Sequence, residues 1–376
     1  MCEVLEPRPG SRRVVVLGAV ALAAMFAVAW TVTSSVPEDS AGDFFFNLWE
    51  PGRALLDGGD PFRTSNDESG GVYPPAAVVM ALPFALLPYE AAAVVWTAML
   101  LASTVGALRV VGVRDWRCFA LALASPPVVQ GVAYGNVSLL VLLALAYMWV
   151  ARKRPLRAGL VLGFLIATRI FLWPLLFWLL ATRRLRAAAA AAASGVAVSL
   201  IGWAAVGFRR IDEFPAVVRN NASEFMEDGV SVASIVANLG ASASVASLVA
   251  LLAGAIALGV AWLQRSDDLA CFSWALAAAL FASPLVWGHY YALMLVPIAV
   301  STPTLSRKWL LPYLTAPQLT TVAPTAGERI FDAVTGVAFT IATAWQARGR
   351  EKDPARSQPL ALPEPVEERL IPREGV

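Results

Sequence analysis

A few residues of this chain are of the right type, and stand in the right surroundings, to do chemistry: Asp43, Asp57, Asp60, Arg169 and the sole histidine, His289. An ordinary aspartate is ionised near neutral pH and can take a proton from a hydroxyl, so Asp43 is a candidate general base. The same residue would also serve as a helix cap, because Asp favours the positive end of the helix dipole. Asp57 and Asp60 could hold a divalent ion with Asp43, although their spacing matches no metal motif and DGGDPF also reads as turn chemistry. Arg169 lies in the apolar run LVLGFLIATRIFLWPLL. A charge there costs about 2.5–3.5 kcal/mol on insertion scales, so it either faces a polar cavity or snorkels from a hairpin tip. His289, in SPLVWGHYY beside Trp287, Tyr290 and Tyr291, can donate to a phosphate, shuttle a proton or simply sit in an aromatic belt. Gln130, Tyr134 and Asn136 are tip residues that could add hydrogen bonds, and Asp60, Tyr73, Asn136 and Tyr290 are candidate substrate contacts. Glu224, Glu227 and Asp228 read as a solvated loop face.

The elements that must position these residues are membrane helices. Of 376 residues, 58% are hydrophobic and 15% charged, against roughly 25% charged in ordinary globular chains. Apolar runs repeatedly approach the roughly 20 residues that cross a bilayer, and they lack the alternation of a barrel wall. The expected fold is therefore an all-α integral membrane bundle of about twelve segments. Cys2, Cys118 and Cys271 are scattered and point to neither a disulfide framework nor a zinc site. GDP and GGD lack the lysine and spacing of a phosphate-binding loop, which argues against ATP-driven transport. No cofactor, metal or nucleic-acid partner is expected.

The distribution of charge orders the segments. Arg8, Arg12 and Arg13 precede the run 14–36, which reads as a retained first helix with residues 1–13 in the cytoplasm. Residues 37–72 carry two arginines against eight acidic residues and read as an outer loop, pinned to the headgroup layer by Phe44, Phe45, Phe46 and Trp49. Residues 73–88, cut by four prolines, dip into the interface. A span from Tyr89 to Leu108 ends at Arg109, Arg114 and Arg117. Two compact hairpins follow, 118–151 and 158–181, the second too short for two crossings and with Arg169 at its turn. An Ala-rich span from Ala187 leads to a second outer loop, 208–233, and further spans end at Arg265, at SPLVWGHYY and at Arg307 and Lys308. Two last segments near 309–323 and 330–346 precede a tail, 347–376, that reads as disordered and cytoplasmic. Both termini are thus expected inside, in a catalytic membrane domain spanning 14–346.

The run Asp43 to Pro61 with its ALLDGGDPF ending, VYPP with LPFALLP after it, and SPLVWGHYYALMLVP resemble, in this order, glycosyltransferase family 87. These are GT-C-type integral-membrane mannosyltransferases of actinobacteria and relatives. The resemblance covers most of residues 14–346. It implies a polyprenyl-phosphate-mannose donor, a glycolipid or glycan acceptor on the outer face of the cell membrane, and inversion at the anomeric carbon. The family's first-loop aspartate falls on Asp43 and its late histidine on His289. Two positions depart from the family pattern: Gly135-Asn136-Val137-Ser138 stands in place of Gly-Gln-x-Asn, and Arg169 in place of a lysine. Arginine keeps the charge but replaces a point ammonium with a planar fork suited to phosphate oxygens. On this reading Asp43 deprotonates the acceptor hydroxyl while Arg169 and His289 hold the departing phosphate.

Other readings of the same residues are a transporter or flippase of lipid-linked sugars, which would be expected to show repeats with broken helices, a non-catalytic scaffold, and an enzyme using a pentose donor such as arabinofuranose.

Overall fold

The computed structural model describes residues 41–63, 72–315 and 324–347; the expected first helix 14–36, the cytoplasmic start 1–13 and the tail from 348 lie outside them. Every regular element among the described residues is helical. A stretch at 42–56 comes first, made of a turn at Gly42–Phe44, a π turn at Phe45–Trp49 and a helix at Glu50–Leu56. It is followed by α1 (Pro75–Ala85), α2 (Tyr89–Val110), α3 (Trp116–Leu123), α4 (Pro126–Ala133) and α5 (Ser138–Ala151). Next come α6 (Pro155–Thr168), α7 (Pro174–Ala181), α8 (Leu185–Ala205), α9 (Phe214–Glu224) and α10 (Val232–Asn238). The chain continues through α11 (Ala243–Leu263), α12 (Asp268–Ala282), α13 (Leu295–Ser301) and α14 (Ala326–Gln346).

Among the described residues three helices, α2, α8 and α11, are long and apolar enough to cross a membrane, and six further apolar helical segments are shorter. The protein is thus an all-helical membrane protein with many incomplete helices. Those helices start where the sequence says they must. Proline occupies the first turn of α1, α4, α6 and α7, where its missing N–H costs nothing. Ser231, Ser242, Asp267 and Thr325 cap α10, α11, α12 and α14 by accepting backbone N–H groups. The proline-cut segment 73–88 folds as the 11-residue α1, well short of a span.

Several expectations change on folding. Phe44 is buried against Trp96, with ring centroids 4.7 Å apart, so it joins the core instead of the headgroup layer. The loop 208–233 contains α9, and Glu227 and Asp228 are not merely solvated, because Arg329 of α14 reaches both, at 3.9 and 2.8 Å. Residues Arg307–Leu314 form a 3-10 helix with Pro312 inside it at the start of the segment expected near 309–323, of which residues 316–323 lie outside the described ones.

α12 is buried on every side from Leu269 to Phe281 and forms the axis of the bundle; a helix apolar all round belongs in such a place. α11 packs along it, with Gly254 against Ala282. α6 and α8 meet most extensively, through Gly159 and Gly163 on one helix and Ala187, Ala191, Ser194 and Gly195 on the other. This is the small-xxx-small spacing that lets backbones approach in lipid, where dispersion and not water drives helix association. At the α12 start, Asp268 binds Arg184 through both oxygens, Arg152 at 2.9 Å and the Trp178 indole at 2.9 Å. This network ties α5, α7 and α12 together at one end of the bundle.

A side chain at position 163 has nowhere to go, since a Cβ would lie 2.6 Å from the Gly195 nitrogen. Gly163→Leu is expected to cost about 1–3 kcal/mol through overpacking and to lower the melting temperature of the protein in lipid, whereas Gly259→Leu, where a Cβ meets open space, should leave it nearly unchanged.

Candidate active site

At the end of the bundle away from Asp268, the stretch 41–46 is clipped onto the turn after α4. The Ala41 and Asp43 amides donate to the Ala133 and Tyr134 carbonyls at 3.0 and 3.1 Å. Gly135 makes this possible. It adopts a left-handed φ of 65°, and a Cβ there would lie 2.9 Å from that of Ala41. Its carbonyl accepts from the Trp96 indole at 2.7 Å, which locks the turn to α2.

Asp43 is not a helix cap. Ala41 occupies the cap position and makes no side-chain cap bond, while the Asp43 carboxylate accepts from the Asn136 amide at 2.6 Å. The Asn136 amide cannot turn over, because its oxygen already accepts the Ser138 backbone N–H at 2.8 Å and the Ser138 hydroxyl at 2.6 Å. The N–H2 end therefore faces Asp43 and also reaches the Tyr73 hydroxyl at 3.2 Å. Asp43 retains 27% of its side-chain exposure, and His289 Nε2 is 3.8 Å from its Oδ2. Burial raises the Asp43 carboxyl above the ordinary aspartate value, against the lowering effect of the Asn136 hydrogen bond and, further off, the Arg169 charge.

Arg169 follows the last residue of α6, where φ −144° and ψ 80° break the helix. It does not snorkel; it is 7% exposed. Its guanidinium donates to the hydroxyls of Tyr73 and Tyr290 and to the Asn136 oxygen, the last two at 3.3 Å, and lies 4.0 Å from the Tyr73 ring centroid. Each of these partners is neutral. Among the described residues Arg169 has no ion pair, and its Nε has no hydrogen-bond partner. A buried guanidinium held only by neutral oxygens and ring faces keeps most of its attraction for an anion.

One side of Arg169 opens into a cavity of about 370 Å³ walled mainly by apolar side chains, among them Val72, Ile170, Phe171, Trp173, Val218 and Leu285. Tyr73 and Tyr290 line it as well, whereas Asp43 and His289 do not. The cation therefore stands between an apolar cavity and the carboxylate. Phe171 stacks on Tyr290 at 5.0 Å and holds that ring against the guanidinium.

His289 is 2% exposed, and among the described residues neither ring nitrogen has a hydrogen-bond partner. It sits on the 3-10 helix Gly288–Met294, which packs on α4; at Gly288 the Gln130 carboxamide occupies the space a Cβ would need. The extended segment before it is fixed from the second loop, the Val230 amide donating to the Val286 carbonyl at 2.7 Å and the Ser231 hydroxyl to that of Pro284 at 2.9 Å.

Asp43, Tyr73, Asn136, Arg169, His289 and Tyr290 are thus brought together from five separate parts of the chain. Asp60 is not; its carboxylate accepts the Phe62 amide at 3.0 Å and closes a turn. Asp57 pairs with Arg53 at 3.2 Å, so the three aspartates weighed as a metal site are not gathered. Ser138, Gly135 and Trp96 position the site; Gly135 and Ser138 stood in the sequence only as part of a departure from the family pattern, and Trp96 was not singled out. The signal for Ser138 was present in Gly135-Asn136-Val137-Ser138, since an Asn after a glycine readily accepts from the amide two residues on.

The chain matches glycosyltransferase family 87 over residues 72–288, a range that holds Tyr73, Asn136 and Arg169, begins after Asp43 and stops one residue before His289. A polyprenol-phosphate-mannose-dependent alpha-(1-2)-phosphatidylinositol mannoside mannosyltransferase of Mycolicibacterium smegmatis is 26% identical over 334 residues, 76% of this chain and 74% of that protein. No solved structure matches the chain. With more than half of its residues within the family match, the chain belongs to glycosyltransferase family 87 and is a glycosyltransferase.

Proposed function

We propose that the protein transfers a mannosyl residue from polyprenyl-phosphate-mannose to a glycolipid or glycan acceptor on the outer face of the cell membrane, inverting the anomeric carbon, with Asp43 as general base. The observation that carries this reading is the placement of Arg169, a buried cation with no ion pair among the described residues, between an apolar cavity and a carboxylate. A lipid-linked sugar phosphate has the matching order: an isoprenoid chain for the cavity, a phosphate for the guanidinium and a sugar beyond it. The mannose-dependent relative supports the choice of sugar.

In the proposed step the acceptor hydroxyl gives its proton to Asp43 as its oxygen bonds to C1 of the donor, and the C1–O bond to phosphate breaks. Polyprenyl phosphate leaves with the bonding pair. Its growing charge is met by Arg169 and by the hydroxyls of Tyr73 and Tyr290, in a site from which water is largely excluded. His289 supplies a ring N–H to the departing phosphate. Asn136, held by Ser138, orients the base. Asp43 precedes α1 in a segment rich in acid, whereas Arg152, Lys153, Arg154, Arg183, Arg184, Arg186 and Arg265 gather at the opposite helix ends. That asymmetry supports an outward-facing site, with the basic helix ends on the cytoplasmic side.

With radiolabelled polyprenyl-phosphate-mannose and a membrane glycolipid extract, wild type is expected to transfer label, and Asp43→Asn to lose about 10²–10⁴-fold in rate. Equal transfer by both would remove Asp43 as the base, and no transfer by either would direct the test to an arabinofuranose donor or to lipid scrambling. Arg169→Met should lower the rate about 10²–10³-fold, with Arg169→Lys recovering part of it because the charge returns without the fork. The base works only when deprotonated, so activity should fall as pH drops through a value above the roughly 3.9 of an ordinary aspartate. Asn136→Ala removes a hydrogen bond that favours the carboxylate, so this acid limb is expected to move to higher pH; a limb that stays put or moves down would separate Asn136 from the base.

A further inference from the structure

A second cavity lies at the other end of the bundle. α12 runs from Asp268, which holds Arg152 and Arg184, to Ala282, which lines the Arg169 cavity; its 15 residues separate the two ends by about 22 Å. Near its start, an open cleft of about 410 Å³ is lined by Ala181, Thr182, Arg183, Leu263, Arg265 and Ser266. It shares no residue with the cavity at Arg169.

Arg183 carries the argument. It follows α7 in a left-handed conformation, φ 58°, where its amide donates to Leu180 O at 3.0 Å and the Arg184 amide to Leu179 O at 2.8 Å. This double bond pattern ends helices on glycine, because an L side chain there is strained. A long cationic side chain kept at such a position calls for a use, and the α7 helix end does not require it. Arg184 next to it is consumed by Asp268. Arg183 is not, and neither it nor Arg265 has an ion pair among the described residues. Arg265 is aimed by its own helix: it donates to the Trp262 carbonyl at 2.9 Å and lies 4.6 Å from that ring. Asp267, the nearest carboxylate in sequence, caps α12 by accepting the Ala270 amide at 3.1 Å.

Arg183, Arg265 and Ser266 thus line one cleft, while the Thr182 hydroxyl is taken up within its own turn, donating to the Trp178 carbonyl at 2.7 Å and accepting from Arg184 at 2.9 Å. The flanks of the cleft are exposed apolar side chains, Leu180, Leu185, Trp262 and Leu263, on helix ends that the bilayer must cover. Cation and hydroxyl donors above an apolar flank are the complement of a phosphodiester headgroup with its acyl chains alongside. We infer that this cleft is a binding site for one anionic phospholipid, separate from the site of sugar transfer.

The protein purified in detergent would be titrated with phosphatidylglycerol, with phosphatidylcholine and with inorganic phosphate, and bound lipid counted by native mass spectrometry. Wild type is expected to retain one phosphatidylglycerol in preference to phosphatidylcholine. Arg183→Gly with Arg265→Gln should raise the half-saturating phosphatidylglycerol concentration roughly 25-fold, at about fivefold for each arginine. Glycine suits the backbone at position 183, so an unchanged melting temperature in phosphatidylcholine verifies that the variant is folded. Arg157→Gln, an exposed arginine at the same end but outside the cleft, should change the titration little. Binding by the double variant equal to wild type would overturn the inference, as would an equal loss in Arg157→Gln, which would mean general surface charge. Displacement of the lipid by millimolar inorganic phosphate would overturn it in favour of a free-phosphate site.

Discussion

Burying the charge of Arg169 imposes the arrangement of everything near it. A guanidinium in an apolar bundle needs oxygen acceptors and ring faces, and no single helix can supply them. Tyr73 comes from the segment before α1, Asn136 from the turn between α4 and α5, and Tyr290 from the 3-10 helix after α12. The break at Arg169 frees the backbone from the helix ladder so that the side chain can turn inward. The same neutral partners that make the burial tolerable leave the charge unneutralised, which is the property a phosphate site needs. The contacts that solvate the cation are the same ones that leave its charge uncompensated.

The Asp43 carboxylate is positioned by a second chain of contacts that converges on the same asparagine. One side of the Asn136 amide is saturated by Ser138 and Arg169, and the other is turned to Asp43. A substitution at Ser138 would therefore act on the carboxylate without touching it. The short amide at 136 and the hydroxyl at 138 are coupled through two short hydrogen bonds from Ser138 to the Asn136 oxygen.

The helices that carry these residues are held by close backbone contact more than by bulk. Glycines at 159, 163 and 254 bring α6 onto α8 and α11 onto α12, and the aromatic side chains are concentrated where helices end, around Trp96 on one side and Trp178 on the other. Short helices that stop within the bilayer are stable only because their ends are satisfied by protein, as the Asp268 network and the Asn136 turn show. Both ends of the bundle are thus polar, but with opposite character. One end offers a carboxylate beside a cation that has no ion pair among the described residues; the other gathers several arginines around Asp268.

Amino-acid order alone determined that this is a helical membrane protein, that an acidic aromatic segment precedes a proline-rich one, and that Asp43, Arg169 and His289 stand out. Those conclusions rest on hydropathy, on proline and on charges placed where lipid penalises them, all of which are local properties. The convergence of Tyr73, Asn136 and Tyr290 with them, expected only through family resemblance and tip position, came from packing of segments far apart in the chain. Tertiary structure alone decided that Asp60 closes a turn away from the site and that Phe44 turns inward. It also decided that Glu227 and Asp228 meet Arg329 and that Ser138 fixes the Asn136 amide. The physical reason is that an aspartate that closes a turn and one that faces Asn136 have the same local chemistry; what separates them is the neighbour that distant segments bring within about 3 Å.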